Sequence, residues 1–325
     1  MTRLGVLLGA LLALACLAPP SDAGWPSSGR KYSLTSPPSQ LITQTDYTLG
    51  SLGSGDSDTR STTATYVNCS TGYITSAAIN TARFDCTGGT AHGWLVEAAA
   101  TNFVLQSQAL GTTWSNTCTT VTNNFAVSPD GTSNATRLNC PATTWAVYQF
   151  TGGASNTYTI SMYVEYNNAS FPGFRLFLNG SGLSSNFTAT SSFVRYSYSL
   201  LQPGPSNLGI ARNSSVAAAD LIVFGAQVEA GTYATSYIPT TTTTITRAAD
   251  VAANAGWTTN YLMVESTNEG TGVTSRATYC ASGCTGTTFT PSAVWIKRIC
   301  QFNATSAGKT AANAARAQAN GTACS

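Results

Sequence analysis

The chain has 325 residues, enough for one large or two ordinary domains with a real hydrophobic core. Only 9% of its residues are charged and the formal net charge is +2, too little basic character to track a phosphate backbone, so nucleic acid is not an expected partner. Abundant Thr, Ser, Asn and Gly at so low a charge suits extracellular β-proteins and fibres and suits a cytosolic enzyme poorly.

The N-terminus sets Arg3 ahead of an apolar run that stops at Pro19, with Ser21 and Ala23 before Gly24. This layout predicts a secretory signal over residues 1–23 and no membrane anchorage after its cleavage. A lipoprotein cut before Cys16 and an uncleaved anchor are the alternatives. Residues 24–59 are rich in Pro, Gly and Ser without a sustained period and read as a loosely docked leader. Asp56 and Asp58 within it hint at calcium, but two carboxylates without the rest of a binding loop are better explained by a solvated turn.

From Arg60 the chain becomes a series of strands and turns. The runs Tyr158–Tyr166, Phe174–Gly180, Val194–Leu200 and Leu221–Glu229 alternate with a period of two, are rich in β-branched and aromatic residues, and are divided by Asn, Gly, Pro and Ser clusters. Ile160, Met162 and Val164 are expected to face a core, with Ser161, Tyr163 and Glu165 facing out. Phe174, Leu176 and Leu178 repeat this against Arg175, Phe177 and Asn179. One greasy face per sheet predicts an antiparallel β-sandwich with the other faces free.

Eight blocks, in order, carry a resemblance: Arg60–Tyr66, Ala82–Asp85, Gly93–Asn102, Val127–Thr132, Tyr158–Val164, Val223–Glu229, Thr235–Thr240 and Thr246–Val251. Together they resemble a module found in bacteriophage tail and virion proteins. What the resemblance implies over about residues 60–251 is a jelly-roll β-sandwich similar to carbohydrate-binding modules, used as a fibre, decoration or adhesion piece, with no catalytic residues. The chain departs from the module at Ala98, Ala99 and Ala100, where members commonly carry charge.

Beyond Asp250, residues 259–267 and 292–300 alternate as strands, predicting a small, cysteine-rich β-type unit over 252–325. Residues 307–319 are alanine-rich and compatible with one exposed helix, although Gly308 and Asn313 oppose it.

Setting Cys16 aside leaves eight cysteines, an even number that in an exported chain predicts disulfides. Spacing suggests Cys69 with Cys86 and Cys118 with Cys140. Cys280, Cys284, Cys300 and Cys324 then close among themselves or form a four-thiolate zinc site.

His92 is the lone histidine, and no Gly-x-Ser-x-Gly elbow, dinucleotide fingerprint or phosphate loop accompanies it, so it reads as a turn residue. Glu165 and Glu229 are the carboxylates on strands that a glycosidase would need to set face to face, with nothing in the pattern that does so. Eight Asn-x-Ser/Thr sequons, among them Asn179 and Asn213, are what a Ser- and Thr-rich chain produces by chance. A glycan site requires an aromatic platform with polar neighbours. The candidates are Tyr163, Glu165, Arg175 and Asn179, with Trp145 and Tyr148 on the preceding strand.

These readings converge on an all-β, extracellular or virion-surface structural or adhesion protein, non-enzymatic, forming homo-oligomers, whose partners are a surface glycan or other fibre subunits. No metal or cofactor is expected. The alternative is a secreted carbohydrate-active enzyme or its carbohydrate-binding subunit.

Overall fold

The computed structural model describes residues 40–141, 145–151, 154–178, 182–204, 206–213, 218–279, 293–320 and 323–324. The expected signal segment of residues 1–23, residues 24–39 of the expected leader, and the cysteines Cys16, Cys280 and Cys284 lie outside them. The fold is all-β.

Two antiparallel sheets face each other across the main core. The first runs Val194–Gln202, Asn156–Tyr166, Ala219–Ala230, Ala135–Cys140, Thr120–Ala126; the second runs Gly182–Leu183, Gly173–Leu178, Ser206–Arg212, Ala146–Thr151, Ser115–Asn116. From Ala135 to Ala230 successive long strands alternate between the two sheets, and the last one, Ala219–Ala230, slots between Ala135–Cys140 and Asn156–Tyr166. This is jelly-roll winding. Ile160, Met162 and Val164 meet Phe174, Leu176 and Leu178 between the layers, as period-two alternation requires.

The outer face of the first sheet is not free. Ala219–Glu229 is buried along its whole length because both of its faces are covered, Leu221 and Val223 in the main core and Ile222 and Phe224 in a second cluster, while Gln227 and Glu229 are hydrogen-bonded within the fold. The hairpin of Ala64–Val67 and Ile74–Ala77 packs on this face, and Ile74 joins Ile222, Phe224 and Tyr237 in a second cluster. Gly225, at φ 66°, breaks the register against Tyr163 and lets the strand bulge beneath that cover, a conformation that glycine adopts without strain.

A third sheet runs Thr274–Tyr279, Tyr261–Asn268, Val294–Phe302, Gly93–Val96, Arg83–Asp85, with Leu41–Asp46 also paired to Val294–Phe302. The C-terminal strands therefore share a sheet with strands from the first hundred residues. The leader expectation is corrected here: Leu41–Asp46 is a paired strand, because its backbone completes an otherwise open edge. Asp56 accepts from Tyr47 Oη, Gly53 N and Asn254 Nδ2, and Asp58 accepts from Trp94 Nε1, so both serve local structure.

One face of this sheet packs Leu262, Val264, Trp94 and Ile296; the other packs Tyr261, Met263 and Phe302 under the helix Ser306–Ala317. The helix is capped by Thr305 and buries Gly308, Ala312 and Ala315, so it is docked on one side, where the sequence suggested exposure. Disulfides join Cys69 to Cys86, Cys118 to Cys140 and Cys300 to Cys324. With Cys300 and Cys324 bonded to each other, the four-thiolate zinc alternative does not form.

Candidate functional site

Two concavities bear on the expected glycan residues. One is an open trough of about 580 Å³ on the outer face of the second sheet. The other is a groove of about 280 Å³ over the outer face of the first sheet.

The trough follows from strand register. Tyr148 and Phe177 stand on either side of Gly209, each paired with it across a strand boundary. In the next row Ala146 and Arg175 flank Ala211. Glycine and alanine make a floor, and the aromatic rings, 6.5 Å between centroids and tilted by 58°, rise beside it. A side chain at Gly209 would overlap the Val147 carbonyl oxygen, so this floor position has room only for glycine. Asn207 and Leu183 add to the lining along its length, while Arg212 and Asn213 close one end. Arg175 donates from Nε to Asn186 Oδ1 at 2.7 Å, which orients the guanidinium.

The six residues expected to form one glycan site are divided by the fold. Tyr148 and Arg175 meet in the trough. Trp145 does not present a platform: it is 1% exposed and packs in the sandwich core, touching the trough only from beneath its end. The reason is parity, since an odd separation of three puts Trp145 and Tyr148 on opposite faces of one strand. Tyr163 and Glu165 lie in the first sheet and Arg175 in the second, so jelly-roll winding sends them to opposite sides of the molecule. Asn179 lies outside the described residues. Glu165 is half-buried, its carboxyl pushed up by burial, and it lines neither concavity. Phe177, Gly209 and Arg212 were missed; their signal was the pairing of strands distant in sequence, which no local pattern reveals.

Tyr163 lies in the groove. The Arg195 guanidinium sits 5.5 Å from its ring centroid and donates to Thr235 O and Ser161 Oγ. Burial raises the Tyr163 phenol. Beneath the groove is a cluster of buried charge. Glu97 accepts from Ser236 N and Oγ and pairs with Arg83 at 2.6 Å and Arg247 at 3.0 Å. Burial alone would raise its carboxyl, but the Arg83 and Arg247 charges, with hydrogen bonds from Glu269 and Ser236, hold it well below the carboxylate range. Glu269, on the groove wall, is pushed up to about 11 by burial, by the Glu97 charge and by the hydrogen bond the two share.

Glu97 is thus an ionised, fully enclosed acceptor and Glu269 a neutral acid beside it. The spacing is that of a hydrogen-bonded pair, whereas glycosidases hold two carboxyls about 5 to 10 Å apart across the scissile bond. Glu229 is occupied by Gln227 and Thr235, and it stands opposite Thr159 while Glu165 stands opposite Ile222, so these two carboxylates do not face each other. His92 contacts Thr87 O and lies against the Trp295 ring. Among the described residues no group of three or more metal-ligating side chains is present, and no helix is long and apolar enough to cross a membrane.

No family model matches the sequence, and no curated protein matches it. Among solved structures the chain is similar to the enzymatically active domain of tailspike protein 4 of bacteriophage CBA120, at 14% identity and a TM-score of 0.29. The match covers 39% of this chain and 21% of that one, so the chain spans about a fifth of that structure's length. Similarity at this level carries no argument about activity.

Proposed function

We propose that the chain is a non-enzymatic surface or virion adhesion protein that holds a glycan in the trough of the second sheet. The observation that carries this reading is the Tyr148–Gly209–Phe177 row: a half-buried Tyr148 ring and a Phe177 ring that shows only 5% of its surface, beside a floor without side chains, with Arg175 and Asn207 at hand for hydroxyls. Sugars offer an apolar C–H face and a ring of hydroxyls, and this arrangement meets both. The trough volume falls within the range usual for small-ligand sites, about 300 to 1,000 Å³. The ordered resemblance of residues 60–251 to a phage tail and virion module supports the adhesion setting.

The enzymatic alternative would draw on Glu97 and Glu269. Glu97 is sealed by two arginines and Ser236, an arrangement suited to joining the sandwich to the third sheet rather than to proton transfer at a substrate. A glycan array probed with the wild-type chain and with Tyr148→Ala tests the proposal. Binding by the wild type that the variant loses is the expected result; no binding by either protein would defeat it.

A further inference from the structure

Tyr148 and Phe150 are alternate residues of the strand Ala146–Thr151, whose Val147 and Gln149 are buried on the sandwich side, so both rings leave the outer face of the second sheet. Register continues the trough in that direction. Ala146 pairs with Ala211, Tyr148 with Gly209 and Phe150 with Asn207, so the ladder that floors the trough carries Phe150 and Asn207 as its next outward row. The row behind the glycan reading shows little ring surface, since Phe177 is 5% exposed and Tyr148 is half-buried. Phe150 is 68% exposed, more than any other aromatic residue among those described.

Single exposed apolar side chains are ordinary on a protein surface. Phe150 differs by its place: it stands roughly 7 Å along the same face from Tyr148, and the rows from Ala146 to Phe150 extend over about 13 Å. That span is longer than one pyranose ring. We infer that the trough takes a linear oligosaccharide lying along the strand Ala146–Thr151, with Phe150 as a second platform beyond Tyr148 and the exposed Asn207 beside it for hydroxyls. This rests on the trough being the glycan site and names the class of glycan it takes: a chain held at consecutive residues rather than one terminal sugar. Arg212 and Asn213 close the other end, so the chain leaves past Phe150.

The test titrates the full chain with malto-, cello- and xylo-oligosaccharides, each from the monomer to the hexamer. Within a ladder that binds, affinity is expected to rise at least about tenfold from monomer to trimer and then to level, and Phe150→Ala is expected to flatten that rise at an unchanged melting temperature. Phe150→Tyr, which keeps a ring, is expected to retain it. Affinity that is the same at every length and is lost with Tyr148→Ala would overturn the chain inference and leave the glycan reading standing. A rise with length that survives Phe150→Ala would place the further contacts elsewhere on the surface and overturn the inference. Self-association that Phe150→Ala abolishes, with sugar binding unchanged, would assign the ring to contact between copies and overturn it as well. Absence of binding to every member of the three ladders would sink both.

Discussion

Arg60 and Asp250 are 190 positions apart in the chain and meet at 2.6 Å with no side-chain surface exposed. Asp250 also accepts from Arg83 and from the Glu97 backbone N–H, so one carboxylate bridges two buried guanidiniums and fixes the segment that follows Gly93–Val96. The pair lies where the sandwich meets the third sheet.

Replacing Asp250 with alanine takes from buried Arg60 its close carboxylate and from Arg83 one of its two, and stability is expected to fall by about 3–5 kcal/mol. Asp220→Ala breaks the Arg137 bridge, whose arginine is 27% exposed, and is expected to cost about 1 kcal/mol or slightly more. Denaturant midpoints at unchanged slope measure both. Equal losses would contradict the structural role given to Asp250.

Glu269 makes stability depend on pH in a stated direction. Its folded value, about 11, lies far above its usual 4.5, so between these values the folded chain holds a proton that the unfolded chain has released. Stability therefore declines as pH rises from about 5 to 9, by at most about 1.4 kcal/mol per unit. Asp58, raised by burial, acts in the same sense just above the usual carboxylate range. Glu97, held low, has the opposite sign and acts only under acid conditions, where its contribution is lost as pH falls. Glu269→Gln is expected to flatten the decline between pH 5 and 9. A profile as steep as wild type would show that Glu269 is ionised in the fold.

The last described cysteine tethers the helix to the sheet. Cys324 is bonded to Cys300, 24 residues earlier, closing a loop that contains the Ser306–Ala317 helix. Loop-closure entropy for that length amounts to about 3 kcal/mol, so Cys324→Ser is expected to lower stability by about that much. Urea unfolding checks the value, and adding reductant is expected to change wild type but to leave the variant's Cys300 region unaffected.

Strand alternation made the sandwich legible, and it correctly separated Ile160 and Phe174 from Tyr163 and Arg175 by face. It did not tell which sheet each strand joins. Tyr163 and Arg175 both point away from the core, yet they do so on opposite sides of the molecule, because consecutive strands cross between layers. Trp145 was misplaced by overlooking its odd spacing from Tyr148. The charge cluster was illegible for another reason: Arg60, Glu97, Arg247 and Asp250 look like scattered surface charges until pairing over more than a hundred residues brings them together. Leu41–Asp46 read as leader because its strand is defined by its partner, Val294–Phe302, more than by its own pattern.

The central claim is that a glycan occupies the space above Gly209 and Ala211, and a bulky side chain placed there tests it most directly. Ala211 is half-buried and belongs to the outward-facing row, so Ala211→Trp fills the trough without entering the core. With melting temperature unchanged, the account predicts that glycan binding by this variant drops at least about tenfold. Binding as tight as wild type would contradict it.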